Sequence, residues 1–282
     1  MTVLITGVTG QLGYDVARYL RGVGCDFLSP NRNEMDLSDE GSVKSYIMEN
    51  NPDSIIHCGA WTDVNKAEVN VNLCRQVNVD GTRFIVDCCK DYDITMLYVS
   101  TDYVFDGSGV RPWEITDRTN PINQYGLSKR DGENIVRSLK KYFIVRTSWV
   151  FGINGKNFIA TMVDLSKKFK TIRVVDDQFG SPTYSVDLAP LLWQILCSEK
   201  YGTYHAHNEG FCTWYDLAIE VFKILGTGTN VIPISSNDYR SDVKRPLNCR
   251  LGLQSLEVNG FDRLPNWKDA VNRYIKEMTL VK

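Results

Sequence analysis

Residues 6–13 read TGVTGQLG and lie between an apolar run, residues 3–5, and a helical pattern over residues 11–21. Three glycines at three-residue spacing let the chain turn tightly and let backbone N–H groups approach an anion. The first turn of the following helix adds unpaired N–H donors and the positive end of its dipole. This strand–loop–helix order is typical of the site at which a Rossmann fold holds the pyrophosphate of a dinucleotide.

Beyond this loop, short apolar runs alternate with helical patterns. The apolar runs are residues 25–28, 54–57, 94–100 and 143–146, and the helical patterns are residues 72–92, a stretch beginning near residue 125, 158–168, 214–225 and 267–278. Continuous apolar runs separated by helices are typical of parallel strands that are covered on both faces. We therefore predict an α/β fold: a Rossmann-type doubly wound parallel sheet in residues 1–148 and a smaller C-terminal substrate-binding lobe in residues 149–282, with some segments of the latter returning to the sheet.

Composition and charge exclude several classes of function. The chain has 282 residues and a net charge of −2, so no basic excess indicates a nucleic-acid or anionic-membrane partner. The first residues run into an apolar strand without a basic leader, and no apolar stretch is long enough to cross a bilayer. The eight cysteines form no CxxC pair, which favours reduced thiols. We therefore expect a cytoplasmic protein with neither a nucleic-acid nor a membrane partner.

The end of the second apolar run indicates which dinucleotide is bound. An acidic residue at this corner would hold the ribose 2′-hydroxyl of NAD, whereas an arginine accommodates the 2′-phosphate of NADP. Here the sequence continues Ser29-Pro30-Asn31-Arg32 and contains no acid. We predict that the cofactor is NADPH, with NADH as a second option. The alternative interpretation is that Arg32 is only a solvated loop residue.

Tyr125 and Lys129 are four residues apart in a helical pattern and therefore share one helix face. A free tyrosine has a pKa of about 10, and a nearby ammonium group is expected to lower it. Such a phenol can donate its proton to a carbonyl oxygen while a hydride reaches the carbonyl carbon. Ser100 and Thr101 stand at the end of the fourth apolar run, where open α/β sheets bind ligands, and can supply a hydroxyl that holds the oxygen.

Several longer motifs resemble one family, the dTDP-4-dehydrorhamnose reductases of the extended short-chain dehydrogenase/reductase superfamily. They are TGVTGQLG (6–13), GAWTDVNKAE (59–68), STDYVFDG (100–107), YGLSK (125–129), RTSWVFG (146–152), DQFGSPT (177–183) and KRP (244–246). The motifs span nearly the whole chain in the order that the family shows. The resemblance implies NADPH-dependent reduction of a dTDP-linked 4-keto-6-deoxysugar, dTDP-4-dehydro-L-rhamnose, to dTDP-L-rhamnose for cell-surface polysaccharide synthesis.

The resemblance also implies roles for individual residues. Tyr125 corresponds to the proton donor, Lys129 to its partner and ribose ligand, and Thr101 to the residue that positions the carbonyl. Thr101, Asp102 and Trp149 correspond to substrate contacts, although Trp149 could equally fill the core. The glycine loop, the position of Arg32 and the resemblance together predict the cofactor-binding residues. They are Gly7, Gly10, Gln11, Leu12, Gly13, Arg32, Asp36, Leu37, Ala60, Trp61, Thr62, Tyr125 and Lys129.

The chain departs from the family at positions that concern metal binding. Some members hold magnesium through glutamates at a dimer contact, whereas this chain has Asp15 and no glutamate at Ser185 or Val186. We therefore expect no bound metal, and the resemblance allows a homodimer. His205 and His207 alternate on an expected strand, but no further ligands complete a metal site around them.

Two other functions remain open at this stage. An epimerase or dehydratase of the same superfamily would retain its NAD and return the hydride, and the pair Asp102 and Tyr103 could supply its additional acid–base groups. A non-catalytic regulatory subunit, similar to the beta subunit of methionine adenosyltransferase, would act through partner contact. Net consumption of NADPH distinguishes the reductase from both alternatives.

Overall fold

The strands form at the apolar runs and at several shorter segments of the second half. The computed structural model describes residues 1–239 and 242–280. Its strands are β1 (Val3–Thr6), β2 (Phe27–Leu28), β3 (Ser54–His57), β4 (Thr95–Thr101), β5 (Tyr142–Thr147), β6 (Val150–Phe151), β7 (Thr171–Val175), β8 (Phe179–Gly180), β9 (Thr183–Tyr184), β10 (Gly202–His205), β11 (Asn208–Glu209), β12 (Cys212–Thr213), β13 (Asn230–Ile234) and β14 (Leu264–Asn266).

Several of the helices begin at polar caps that the sequence supplies. They are α1 (Gln11–Gly22), α2 (Glu40–Asn50), α3 (Val64–Val69), α4 (Val71–Arg75), α5 (Gly81–Tyr92), α6 (Gln124–Val136), α7 (Phe158–Ser166), α8 (Ser185–Leu196), α9 (Trp214–Leu225), α10 (Gln254–Val258) and α11 (Trp267–Leu280). The Asp39 side chain caps α2, and Thr213 with Asp216 forms a capping box at α9. None of the helices in the described part of the chain is long and apolar enough to cross a membrane.

A six-stranded sheet in the order β10-β5-β4-β3-β1-β2 carries the larger part of the fold, and all of its strand pairs are parallel. The carboxyl ends of its strands therefore meet at one edge, where Thr6 pairs with His57 and Thr101 with Thr147. The chain leaves β1 toward β2 on one side and returns to β3 on the other. Ligands of open α/β sheets bind in the crevice at such a reversal.

Alternate residues of each strand face opposite layers of helices. Val3 and Ile5 pack in a core with residues of α1 and α8, whereas Leu4 between them packs with residues of α2 and α5. Successive side chains of a strand point to opposite faces of the sheet, and in a parallel sheet both of these faces are buried. The predicted α/β fold with a doubly wound parallel sheet is therefore confirmed.

A second hydrophobic core lies in the C-terminal half. It joins α7, α9 and α11 to β7, which pairs in parallel with β13. Two elements of the same half belong to the larger part of the fold instead. Strand β10 joins the main sheet by pairing with β5, and helix α8 packs against α1. The division into 1–148 and 149–282 stays a prediction, and residues 240, 241, 281 and 282 of the second range lie outside the described residues.

Some local expectations differ from the structure. The second strand is confined to Phe27–Leu28, and α2 had not been predicted from the sequence. The helix expected over residues 72–92 contains a π-helical turn, Gln76–Asp80, between α4 and α5. The expected strand pair of His205 and His207 was wrong, because β10 ends at His205 and the His207 ring contacts the backbone carbonyls of Asn208 and Leu251.

Candidate active site

Two adjoining cavities open at the carboxyl ends of the sheet strands. The corner cavity, of about 240 Å³, is lined by Arg32, Asp36, Leu37 and Trp61, among others. The main cavity, of about 670 Å³, contains the other predicted site residues: Gly10, Gln11, Leu12, Gly13, Thr62, Thr101, Asp102, Tyr125, Lys129 and Trp149. Gly7 and Ala60 line both cavities. The fold thus brings the predicted residues into one continuous cleft, while their individual roles stay predictions.

The glycine loop forms a cradle that larger residues would fill. Gly7 has a φ of 71°, and a Cβ added at Gly13 would lie only 2.4 Å from the Gly7 carbonyl oxygen. The helix α1 starts at Gly10 without a side-chain cap and without an acidic residue in its first turn. Its first N–H groups are therefore available to an anion, and the loop fits the pyrophosphate of a dinucleotide.

The Gln11 side chain connects the loop to the second lobe. Its Oε1 accepts hydrogen bonds from the Gly152 backbone N–H at 2.9 Å and from Asn157 Nδ2 at 3.0 Å. In addition, Asn154 Nδ2 donates to the Thr9 carbonyl at 3.1 Å. The backbone N–H of Gln11 belongs to the first turn of α1, where N–H groups have no partner within the helix, so it can face a phosphate.

The corner cavity has the polar groups expected at the adenosine end of a dinucleotide. Arg32 Nε lies 3.3 Å from Asp36 Oδ2, and the Arg32 side chain is 78% exposed. Hydrogen bonds from Ser38 are the main cause of the lowered pKa of Asp36, and Arg32 adds to them. The guanidinium group thus remains accessible to an anionic ligand at the cavity edge.

The segment after β3 is fixed to the helix that carries the Tyr–Lys pair. The Trp61 backbone N–H donates to Asn78 Oδ1 at 2.7 Å, and Asn78 Nδ2 donates to Ser128 Oγ at 2.9 Å. Asn78 is buried in the π-helical turn between α4 and α5, and Ser128 lies on α6. The wall formed by Ala60 and Thr62 is therefore held rigidly relative to α6.

Tyr125 and Thr101 come together although they are distant in sequence. Thr101 ends β4, and Tyr125 lies in the first turn of α6, which Asn123 caps by accepting a hydrogen bond from the Gly126 N–H at 2.8 Å. The Tyr125 and Thr101 side chains both line the main cavity, and hydrogen bonding to Thr101 acts to lower the pKa of Tyr125. Thr101 Oγ1 also donates to Asp102 Oδ1 at 2.9 Å. A carbonyl oxygen placed at this pair would meet two hydroxyl groups.

The expected lowering of the Tyr125 pKa is not what the structure gives. Burial raises the pKa of Tyr125 well above its ordinary value of 10; the Thr101 hydrogen bond opposes this shift and the charge of Asp102 adds to it. The expectation was wrong because it weighed the charge of Lys129 and not desolvation. A raised pKa keeps the phenol protonated, and the protonated form is the one that can donate a proton.

Lys129 is buried, with 2% of its surface exposed, and its Nζ lies 3.9 Å from the centre of the Tyr98 ring. Burial lowers the pKa of Lys129 from 10.5 to about 7, and the charge of Glu133 one turn further along α6 opposes this shift. The ammonium is thus easily deprotonated at neutral pH. It can exchange its proton as well as hold a polar ligand.

The burial of Lys129 predicts a stability cost that a variant can remove. Its pKa is about 7 in the fold and 10.5 ordinarily, so between these values the unfolded chain binds more protons and stability rises with pH. Each pKa unit corresponds to about 1.4 kcal/mol. Lys129→Met should therefore melt above wild type at pH 7, and the gain should shrink toward pH 10.5. Thermal unfolding at several pH values measures the difference in melting temperature. The control is Lys168→Met, at an exposed position. If Lys129→Met had a melting temperature equal to or below that of wild type at pH 7, this prediction would be contradicted.

A charged network that the sequence did not reveal lies behind the Tyr–Lys pair. Glu133 on α6 accepts hydrogen bonds from Arg146 on β5, Nε to Oε1 at 2.8 Å and Nη2 to Oε2 at 2.7 Å. Ser100 Oγ donates to Oε1 at 2.7 Å and Arg137 donates to Oε2 at 2.9 Å. Burial raises the pKa of Glu133, but the arginines and Ser100 outweigh it and the net shift is downward. This carboxylate fixes α6 against β4 and β5.

Two buried oxygens at the main cavity lack ordinary hydrogen-bond partners among the described residues. They are Asp102 Oδ2 and Thr147 Oγ1, and the Cys249 thiol lies near the Asp102 carboxyl group. Burial raises the pKa of Asp102 to about 6. Unsatisfied buried polar atoms are uncommon in proteins, and their position at a cavity is what a polar ligand such as a sugar would satisfy.

Trp149 lines the main cavity and adopts an unusual backbone conformation, with a φ of 47°. Its ring stacks on that of Trp214, at 3.6 Å between centroids and 13° between planes. Trp214, which the sequence did not single out, also lines the cavity. Because a tryptophan at the first position of a helix has no sequence signal of its own, only the fold identifies it.

The parallel sheet, the glycine loop and the Tyr–Lys pair facing β4 define a Rossmann-type oxidoreductase of the short-chain dehydrogenase/reductase class. The model of the family described as the RmlD substrate-binding domain matches residues 1–280. The chain belongs to this family.

Individual relatives cover the chain almost completely. It is similar to dTDP-4-dehydrorhamnose reductase from Aggregatibacter actinomycetemcomitans, with 39% identity over 95% of this chain and 96% of the relative. It is also similar to dTDP-4-keto-6-deoxy-D-glucose reductase from Streptomyces niveus, with 36% identity over 96% and 95%. The crystal structure of dTDP-4-dehydrorhamnose reductase from Bacillus anthracis in complex with NADP has a TM-score of 0.95, with 36% identity over 98% of this chain and 99% of that chain.

Proposed function

We propose that the protein uses NADPH to reduce the C4 keto group of dTDP-4-dehydro-L-rhamnose, which yields dTDP-L-rhamnose. The observation that carries the proposal is that Tyr125 and Thr101 line one cavity, which continues into the glycine loop. The names of the relatives and the NADP in the Bacillus anthracis structure support the substrate class and the cofactor. The protein would thereby act in nucleotide-sugar synthesis.

The chemistry assigns a separate task to each residue. Bound NADPH supplies a hydride to C4. Tyr125, kept neutral by burial, donates its hydroxyl proton to the keto oxygen, so one hydride and one proton convert the C=O group into an alcohol. Thr101 donates a hydrogen bond to the same oxygen after turning from Asp102. Lys129 binds the cofactor ribose and passes a proton back to Tyr125.

The experiment that tests this function follows NADPH absorbance with dTDP-4-dehydro-L-rhamnose. One NADPH should be consumed for each dTDP-L-rhamnose formed. An epimerase or dehydratase would change the sugar without net NADPH consumption, and a regulatory subunit would show no turnover. A parallel assay with dTDP-4-keto-6-deoxy-D-glucose, the substrate in the name of the Streptomyces niveus relative, should give a lower kcat/KM. The reverse order would contradict the L-rhamnose assignment.

The exposed Arg32 at the corner cavity predicts selectivity between the two cofactors. Arg32→Ala should weaken NADPH binding about tenfold and leave NADH binding almost unchanged, because only NADPH carries the 2′-phosphate that the guanidinium can hold. Titration of cofactor fluorescence measures both dissociation constants. Arg83→Ala, at an exposed position of α5, is the matched control. Equal losses for both cofactors, or no loss, would contradict this role.

A cytoplasmic location and a homodimer complete the proposal. The relatives that support the substrate class are named as reductases of dTDP-linked sugars. Light scattering of the purified protein tests the oligomeric state. A monomer at micromolar concentration would contradict the homodimer.

A further inference from the structure

The stacked pair of Trp149 and Trp214 joins a predicted substrate contact to a residue that the sequence motifs leave unassigned. Both rings line the main cavity, but they belong to different segments, since Trp149 precedes β6 and Trp214 begins α9. Their centroids are 3.6 Å apart. The second lobe therefore reaches the substrate side of the cleft through Trp214.

The conformation of Trp149 needs support from its surroundings. A φ of 47° is unfavourable for a residue with a side chain as large as tryptophan. Its carbonyl accepts a hydrogen bond from the Thr183 N–H at 3.2 Å, which holds the backbone. The ring lies so close to Gly180 that an added Cβ would be 2.6 Å from the indole. Packing against Gly180 and Trp214 thus determines where the ring points.

Trp214 is itself held by a chain of polar contacts. Its Nε1 donates to Gln178 Oε1 at 3.1 Å, and Gln178 Nε2 donates to Ser236 Oγ at 2.9 Å. Phe158 of α7 also packs against Trp214, with 4.7 Å between ring centroids. Trp214 is consequently fixed to three segments of the second lobe before any ligand binds.

We propose that Trp214 is a positioning residue: it holds the indole of Trp149 in place, so that this ring forms a fixed apolar wall against the sugar part of the substrate. The inference rests on the proposed function, in which Trp149 contacts the sugar. Apolar walls with a few polar groups are typical of small-molecule sites, and here Thr101, Asp102 and Tyr125 supply the polar groups.

Binding of the product tests this inference without requiring turnover. In calorimetric titrations, Trp214→Ala should weaken binding of dTDP-L-rhamnose about tenfold, the scale of a well-packed aromatic pair. Binding of dTDP, which lacks the sugar, and of NADPH should stay unchanged. Trp214→Phe should restore most of the affinity, because it restores an aromatic face. Tyr215→Ala, on the same helix but outside the cavity lining, is the matched control.

A double-mutant cycle distinguishes positioning from direct contact. If Trp214 acts through Trp149, the variant with both residues changed to alanine should bind dTDP-L-rhamnose no more weakly than Trp149→Ala alone. Additive losses, an equal loss for dTDP, or unchanged binding by Trp214→Ala would overturn the inference. If Trp214→Ala does not fold, Gln178→Ala takes its place. A two- to threefold loss of affinity for dTDP-L-rhamnose alone, on the order of one hydrogen bond, supports the inference. Unchanged binding of dTDP-L-rhamnose overturns it.

The result also separates this inference from the proposed function. Wild-type protein that neither binds dTDP-L-rhamnose nor reduces the corresponding ketone would refute the function itself. Wild-type protein that does both, with a Trp214→Ala variant that binds equally well, would refute only the role of Trp214.

Discussion

Tyr125→Phe is expected to lower kcat by about 10²- to 10⁴-fold, the range for loss of a general acid. The substitution removes one hydroxyl group and leaves the ring, whose edge-on contact with Tyr103 has centroids 5.9 Å apart. Thr101 remains to hold the keto oxygen but is too weak an acid to protonate it. Steady-state rates of NADPH oxidation give kcat, and fluorescence titration should show that NADPH still binds.

Tyr142→Phe provides the control, since Tyr142 is on β5 and outside both cavity linings. It removes the same hydroxyl group and should keep the wild-type rate. A Tyr125→Phe variant that turns over as fast as this control would remove Tyr125 from the mechanism. A variant that loses NADPH binding to the same extent as activity would instead assign Tyr125 a binding role.

Glu133→Ala should lower the free energy of unfolding by about 3–5 kcal/mol, because it leaves Arg146 as a buried charge without its partner. Arg146 is 1% exposed and Glu133 is fully buried. Ser100 and Arg137 would lose an acceptor as well. Denaturation in urea measures the loss, which should be accompanied by weaker activity because α6 carries Tyr125.

Two comparisons test whether burial causes this effect. Glu40→Ala removes an exposed ion pair with Lys44, in which both side chains are more than two-fifths exposed, and should cost less than about 1 kcal/mol. The double variant Glu133→Leu with Arg146→Met replaces both charges by apolar groups and should recover most of the stability. A Glu133→Ala variant as stable as Glu40→Ala would contradict the account of the buried network.

The sequence predicted those parts of the fold that depend on local signals. The glycine spacing of residues 6–13 and the apolar run at residues 54–57 correspond to β1, α1 and β3. The helix α2 escaped prediction because only Val43 and Ile47 of its residues are buried, which gives too narrow an apolar stripe for a periodic signal. The short strands of the second lobe also escaped prediction, because contacts between distant segments determine them.

In the candidate site, too, local motifs predicted some features, while contacts between distant segments determined the others. Motif positions predicted that Thr101, Tyr125 and Lys129 share a site, and the fold brings them into one cavity. The direction of the Tyr125 pKa was predicted wrongly, because burial is a property of the packed protein and not of residue spacing. The contact between Trp149 and Trp214 joins residues 65 positions apart by number, so no local pattern could reveal it.

The central claim is that a hydride from NADPH ends on the sugar carbon that carries the ketone. Reaction of dTDP-4-dehydro-L-rhamnose with NADPH in which both hydrogens at C4 of the nicotinamide are deuterium tests it most directly. Mass spectrometry and proton NMR should find one deuterium at C4 of the sugar in dTDP-L-rhamnose. A product without deuterium, or a changed sugar with the labelled NADPH unconsumed, would contradict the claim.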